Sequence, residues 1–158
     1  MALTAHLVHR GGRRFDATSG SGHSVVVDDA RGDDGARPRE YVLIALAACG
    51  GMDVAAILAK KRQRVVRYEI TVLGEERAEH PHMFTTVTLI HHVEGPELDP
   101  EAVRRAIELS ATRYCPVNAM LAWGKVTIHH RYVARSEAGE TAGEVVVVGP
   151  NGAGLEGA

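Results

Sequence analysis

Aromatic side chains are scarce in this chain: Phe, Trp and Tyr together make up 4% of its 158 residues. A core with so few rings has to be assembled from Ala, Val, Leu and Ile, and a hydrophobic content of 45% is enough to build one. Cysteine is scarcer still. With only two, a disulfide-stapled scaffold is excluded. Neither sign of charge is in excess: the formal net charge is -2, with acids and bases interspersed, so nothing points to nucleic acid or an anionic membrane as partner. A phosphate loop and a G-x-S-x-G motif are both missing. The opening MALTAHLVHRGGRR does not run from basic to apolar as a signal peptide does. A cytoplasmic protein is therefore expected, in a reducing compartment where a disulfide is transient and chemical rather than structural. The longest apolar run, residues 41–59, is interrupted by Gly50, Gly51 and Asp53 and followed by Lys60, Lys61 and Arg62. It reads as a buried soluble helix rather than a membrane span.

The order of elements follows from periodicity. Residues 2–10, 13–18 and 23–28 read as three short strands joined by Gly-rich turns. A charged loop over 28–40 leads to a helix from about 39 to 62, with Pro38 and Glu40 as its N-terminal signals. Residues 65–77 put Val66, Tyr68, Ile70 and Val72 on one face and Arg67, Glu69 and Thr71 on the other; 83–93 alternate likewise. An amphipathic helix over 98–114 carries Val103, Ile107 and Leu109 at helical spacing, and Pro116 starts a short helix after it. Residues 125–133 read as the last strand of a domain spanning 1–135. From 136 to 158 the chain turns Gly-, Ala- and Glu-rich and is expected to be a mobile tail, with 144–148 as a candidate edge strand. The pattern βββ-α-ββ-α-α-β is an α+β domain of mostly antiparallel strands. Its long helix is apolar nearly all round, which calls for a second subunit to cover it.

The thiols are Cys49, in LIALAACGGMDV, and Cys115, in RYCPV. Proline at a first helical position places Cys115 at the N-cap, where unpaired amides and the positive dipole end favour a thiolate. Cys49 lies inside its helix and gains nothing from a helix end. Spacing alone therefore makes Cys115 the nucleophile, and it does not say that the two sulfurs meet. Nine histidines raise the question of metal. His91 and His92, like His129 and His130, are strand neighbours facing opposite sides, so neither pair chelates alone. One histidine from each strand could meet across a sheet, but a polar structural role is the commoner outcome. No metal site is expected.

Taken together, the stretch PREYVLIALAACGGMDVAAILAKKR and the later LDPEAVRRAIELSATRYCPVNAML resemble the two signatures of the OsmC/Ohr family, osmotically inducible protein C and organic hydroperoxide resistance protein. The likeness covers most of residues 11–133 and is closest to the OsmC-like branch. It implies antiparallel sheets packed on a long central buried helix, in an intertwined homodimer. It also implies a peroxidatic Cys49 that attacks an O–O bond, and a resolving Cys115 that condenses with the resulting sulfenic acid. A dithiol reductant, lipoyl-type in the family, then reopens the disulfide, and no bound cofactor is needed. In the family an arginine from the early strands, held by a glutamate, favours the thiolate. The matching residues are Arg14 or Arg13, with Arg14 preferred, and Glu40. The family's glutamate falls one residue earlier, where this chain has Arg39. Glu40 precedes Cys49 by nine residues, about 14 Å along a helix axis, so it could act on the sulfur only through an arginine or a bend. Gly50 stands where the family has threonine. Asp53 is kept, and a structural role is expected of it. An acidic Cys115 would make a good leaving thiolate when the dithiol attacks Cys49. The activity implied is reduction of organic hydroperoxides by a dithiol-dependent Cys peroxidase. The rival reading is a weakly active or non-catalytic dimeric stress-response module that binds a hydrophobic ligand.

Overall fold

The computed structural model describes residues 2–148. They divide into two compact units, one ending at Val42 and one beginning at Leu43, where the sequence suggested a single domain over 1–135. In the first unit β1 (Ala5–His9), β2 (Phe15–Ser19) and β3 (Ser24–Val27) form an antiparallel three-stranded sheet in that order. Its turns use Gly11, Gly12 and Gly22 at positive φ, a backbone region that glycine enters without steric cost. The charged segment beyond β3 folds on itself: Asp29 caps the amides of Arg31 and Gly32.

Helix α1 (Pro38–Lys60) starts where proline and acid predicted. Arg37 donates its backbone N–H to the Glu40 carboxylate at 2.8 Å, so an acid in the first turn reaches back to satisfy an amide before it. From Leu43 onward α1 buries a single stripe, Leu46, Gly50, Val54 and Leu58, spaced by four residues and hence on one face. The opposite face stays open, with Ile44 52% and Met52 74% exposed. This is the apolar face that a single chain leaves uncovered. The helix is long and apolar enough to cross a membrane by length and composition, yet its buried stripe is committed to a protein core.

That core lies on a four-stranded sheet ordered β4 (Arg67–Glu76), β5 (Phe84–Glu94), β6 (Thr127–Ser136) and β7 (Gly139–Val148). On β4 the faces divide as predicted, with Tyr68, Ile70 and Val72 turned inward. The β4–β5 and β6–β7 pairs are antiparallel but β5–β6 is parallel, because a helical crossover joins them. The crossover consists of α2 (Pro100–Leu109), a π-helical turn Ser110–Tyr114 and α3 (Pro116–Trp123). Asp99 caps α2 by accepting from Glu101 N–H at 2.9 Å. The helix turns Ala102, Val103, Ala106 and Ile107 into the core and leaves Leu109 half-buried.

The expected tail is in part a strand. β7 pairs with β6 from Ser136↔Gly139 to Thr127↔Val148, and Val147 is fully buried. Its glycine content has a steric reason: a Cβ at Gly143 would lie 2.5 Å from the Tyr132 hydroxyl oxygen on β6, so only glycine admits that ring. Residues 149–158 of the expected tail lie outside the described residues.

Candidate active site

Cys49 is half-buried on the fourth turn of α1, and Asp53 follows one turn later. Cys115 sits between the π-helical turn and α3, and it is the N-cap of α3 as predicted. The fold brings these three together: the two sulfurs and a carboxylate oxygen of Asp53 all lie within 4.8 Å of one another. Extra helical turns of this kind frequently mark functional sites. Here the turn carries Ser110 inward, where its hydroxyl donates to Asp53 Oδ2 at 3.1 Å and approaches the carbonyl of Gly50 at 3.4 Å. A Cβ at Gly50 would stand 3.7 Å from Ser110 Oγ, an ordinary van der Waals contact, so the contact does not require glycine there.

Cys115 is not the acidic thiol that its N-cap position suggested. Burial pushes it up to about 12, and its hydrogen bond with Cys49 acts in the same direction. The amides of Asn118 and Val117 oppose this only in part, although Asn118 N–H does reach Cys115 Sγ at 3.3 Å. Desolvation outweighs the helix end. Cys115 therefore holds its proton, and the case for Cys115 as nucleophile or as ready leaving thiolate loses its basis. A cleft of about 220 Å³ is lined by Thr112, Arg113, Tyr114, Cys115, Pro116 and Ala119. In it the Arg113 guanidinium lies 5.8 Å from the Tyr114 ring centre.

Behind Cys115 runs a polar chain in which one histidine from each of β5 and β6 meets across the sheet, the structural role that the sequence favoured for them. Tyr68 Oη lies 2.7 Å from His91 Nδ1, His91 Nε2 lies 3.2 Å from His130 Nδ1, and His130 Nε2 lies 2.9 Å from Asn118 Oδ1. Asn118 Nδ2 donates to the Ala111 carbonyl at 2.8 Å, which leaves Oδ1 as acceptor. His130 must then carry its proton on Nε2 and accept at Nδ1, and His91 must do the same, so Tyr68 is the donor that starts the chain. Burial is the main reason that both imidazoles stay neutral: His91 is pushed down to about 4 and His130 to about 3. It also holds the Tyr68 phenol above its ordinary range, still protonated.

The sign of the pH effect follows. Both folded-state values lie below the usual 6.5, so the unfolded chain binds more protons in mild acid. Stability is then full above pH 6.5 and is lost as pH falls towards 4, at about 1.4 kcal/mol per pH unit for each histidine. Urea unfolding between pH 7.5 and 4.5 should show this decline. An unfolding free energy that stays flat across the range contradicts the buried neutral pair.

The remaining residues marked by sequence all have partners within the first unit. Arg13 pairs with Asp29 at 3.5 Å, and Arg14 pairs with Asp34 at 2.8 Å and Asp16 at 3.7 Å. Glu40 pairs with the Arg37 guanidinium at 3.6 Å besides capping its amide. The carboxylates that hold Arg13 and Arg14 are thus aspartates, and Glu40 serves the start of its own helix.

The sequence pattern described as OsmC-like protein matches residues 31–131, a stretch that includes both thiols. The chain belongs to the OsmC-like family. Protein YhfA of Escherichia coli (strain K12) is 42% identical over 121 residues, covering 77% of this chain and 90% of YhfA. Two solved structures show that the OsmC-like fold is shared. The OsmC like protein from Mycoplasma pneumoniae has a TM-score of 0.74 at 16% identity, covering 85% of this chain and 97% of its own. The organic hydroperoxide resistance protein OhrB of Bacillus subtilis has a TM-score of 0.60 at 19% identity, with coverages of 84% and 98%.

Proposed function

We propose that this OsmC-like protein reduces organic hydroperoxides through Cys49, using Cys115 to resolve the oxidised form. The observation that carries this reading is the approach of the two sulfurs to within 4.8 Å, from which a modest adjustment reaches the ~2.05 Å of a disulfide bond. Its fold neighbour's name, organic hydroperoxide resistance protein, supports the same chemistry. In the first step Cys49, as thiolate, attacks the terminal peroxide oxygen. The O–O bond breaks, Cys49 becomes a sulfenic acid, and the alkoxide leaves as an alcohol after taking a proton. In the second step the Cys115 sulfur attacks the Cys49 sulfur, and its proton departs with the sulfenic hydroxyl as water. An external dithiol, lipoyl-type by family resemblance, then reduces the disulfide and is itself oxidised to one. Cys49 packs against an aliphatic cluster that includes Leu46, Val87 and Leu89, which suits an alkyl group better than hydrogen peroxide.

The working unit in this reading is a homodimer in the cytoplasm. The open face of α1, with Val42, Ile44 and Met52 exposed, is the kind of apolar surface that a second copy covers.

Cys115→Ser tests the division of labour. The variant should complete one oxidation and then stall, with Cys49 carried on to sulfinic acid by excess peroxide, as mass spectrometry of the Cys49 peptide would show. Repeated turnover at the wild-type rate would remove Cys115 from the cycle.

A further inference from the structure

Cys49, Asp53 and Cys115 have a second chemical use. From their arrangement we infer that the reduced protein binds one zinc ion through Cys49 Sγ, an Asp53 carboxylate oxygen and Cys115 Sγ, with water as the fourth ligand. The inference does not rest on peroxidase activity; it needs only the meeting of the three side chains.

The geometry suits the ion. A tetrahedral zinc with sulfur at about 2.3 Å and oxygen at about 2.0 Å places its ligand atoms roughly 3.5–3.8 Å apart, and the three donor atoms here already lie within 4.8 Å of one another. Cys49 and Asp53, one turn apart on α1, offer a pair of ligands from one rigid face. Cys115 comes from a different element, so the ion would tie α1 to the crossover.

The donor set is supported from behind as zinc ligands usually are. Ser110 Oγ donates to Asp53 Oδ2 and fixes the carboxylate. Asn118 N–H points at Cys115 Sγ, and Asn118 is itself anchored at both ends of its amide, to Ala111 and to His130. Cys49 and Asp53 are half-exposed, which leaves a side for the ion to enter and for a water ligand. Two thiolates and one carboxylate select a borderline ion such as zinc over magnesium or calcium, which prefer oxygen alone. Zinc takes both sulfurs as thiolates, and the zinc-bound and disulfide states exclude each other. Metal occupancy therefore holds the site reduced and closed to peroxide.

The test uses the full chain, fully reduced under anaerobic conditions, and no peroxide, so its failure leaves the peroxidase reading standing. Zinc is titrated against a chromophoric chelator, and cobalt is substituted to report sulfur ligation. One zinc per chain is expected, with thiolate-to-cobalt charge transfer and with both thiols protected from a disulfide reagent. Asp53→Asn keeps an acceptor for Ser110 and should weaken binding about 10- to 100-fold, while Cys115→Ser should abolish the stoichiometric site. His80 and His82, whose rings lie 4.1 Å apart, are the control: replacing both with alanine should change nothing. Zinc that binds without protecting the thiols, cobalt spectra lacking sulfur charge transfer, or affinity lost only with the histidines would each overturn the inference.

Discussion

Cys49→Ser is expected to lower dithiol-dependent turnover of an organic hydroperoxide by on the order of 10³-fold or more, to the rate of peroxide and dithiol alone. The substitution changes one atom at a half-buried position against the Leu46–Val87–Leu89 cluster, so it leaves the packing of α1 in place. Asp53 keeps its bond to Ser110. What is lost is the sulfur. A serine hydroxyl ionises far above neutral pH and forms no stable S–OH counterpart, so neither the first oxidation nor the disulfide can follow. Cys115 cannot substitute, because burial keeps it protonated. Steady-state assays with cumene hydroperoxide and a lipoyl-type dithiol read the effect directly. Equal turnover in the variant and the wild type would remove Cys49 from the chemistry.

The second large effect is on stability. Replacing His130 with leucine, which is close in volume and apolar, should cost about 2–5 kcal/mol in urea unfolding. Two groups would be left without partners inside the core: the Nε2–H of His91 and the Oδ1 of Asn118. Each buried unpaired group costs about 1–3 kcal/mol, a large share of the ~5–15 kcal/mol that holds a domain folded. His130→Leu paired with His91→Leu should recover part of the loss, because it removes the unpaired imidazole along with its partner. A single variant as stable as the wild type contradicts the directed chain from Tyr68 to Asn118.

How far the sequence carried can be seen element by element. Local signals placed the start of α1, where Pro38 and Glu40 mark the first turn, and the two faces of β4, where strict alternation leaves no choice of register. The cap at Cys115 was legible from Pro116. Its consequence was misjudged, because the pull of a helix end is a local property and desolvation is a tertiary one. The EVVVV half of β7 was legible as an edge strand, whereas its first half was hidden for a similar reason. GETAG has poor strand propensity, and only the ladder offered by β6 and the space that Tyr132 requires make Gly143 a good choice there. The parallel pairing of β5 with β6 followed from the helical crossover between them, a long-range feature that alternation within each strand does not reveal. The two histidines stand 39 residues apart in sequence. Their periodicity said which neighbours faced away from each other, but not that His91 and His130 would share one hydrogen bond. The joining of Cys49 and Cys115 came from the family resemblance, and the geometry of the second unit gives it a physical basis.

The central claim is that Cys49 and Cys115 act as one redox pair, and counting free thiols tests it most directly. The reduced protein would be given one equivalent of cumene hydroperoxide per chain, with one equivalent of hydrogen peroxide in parallel. Rapid loss of two thiols with the organic peroxide, slower loss with hydrogen peroxide, and recovery of both with a dithiol is the predicted result. Survival of both thiols under either oxidant would contradict it, and would reduce the sulfurs of this site to packing.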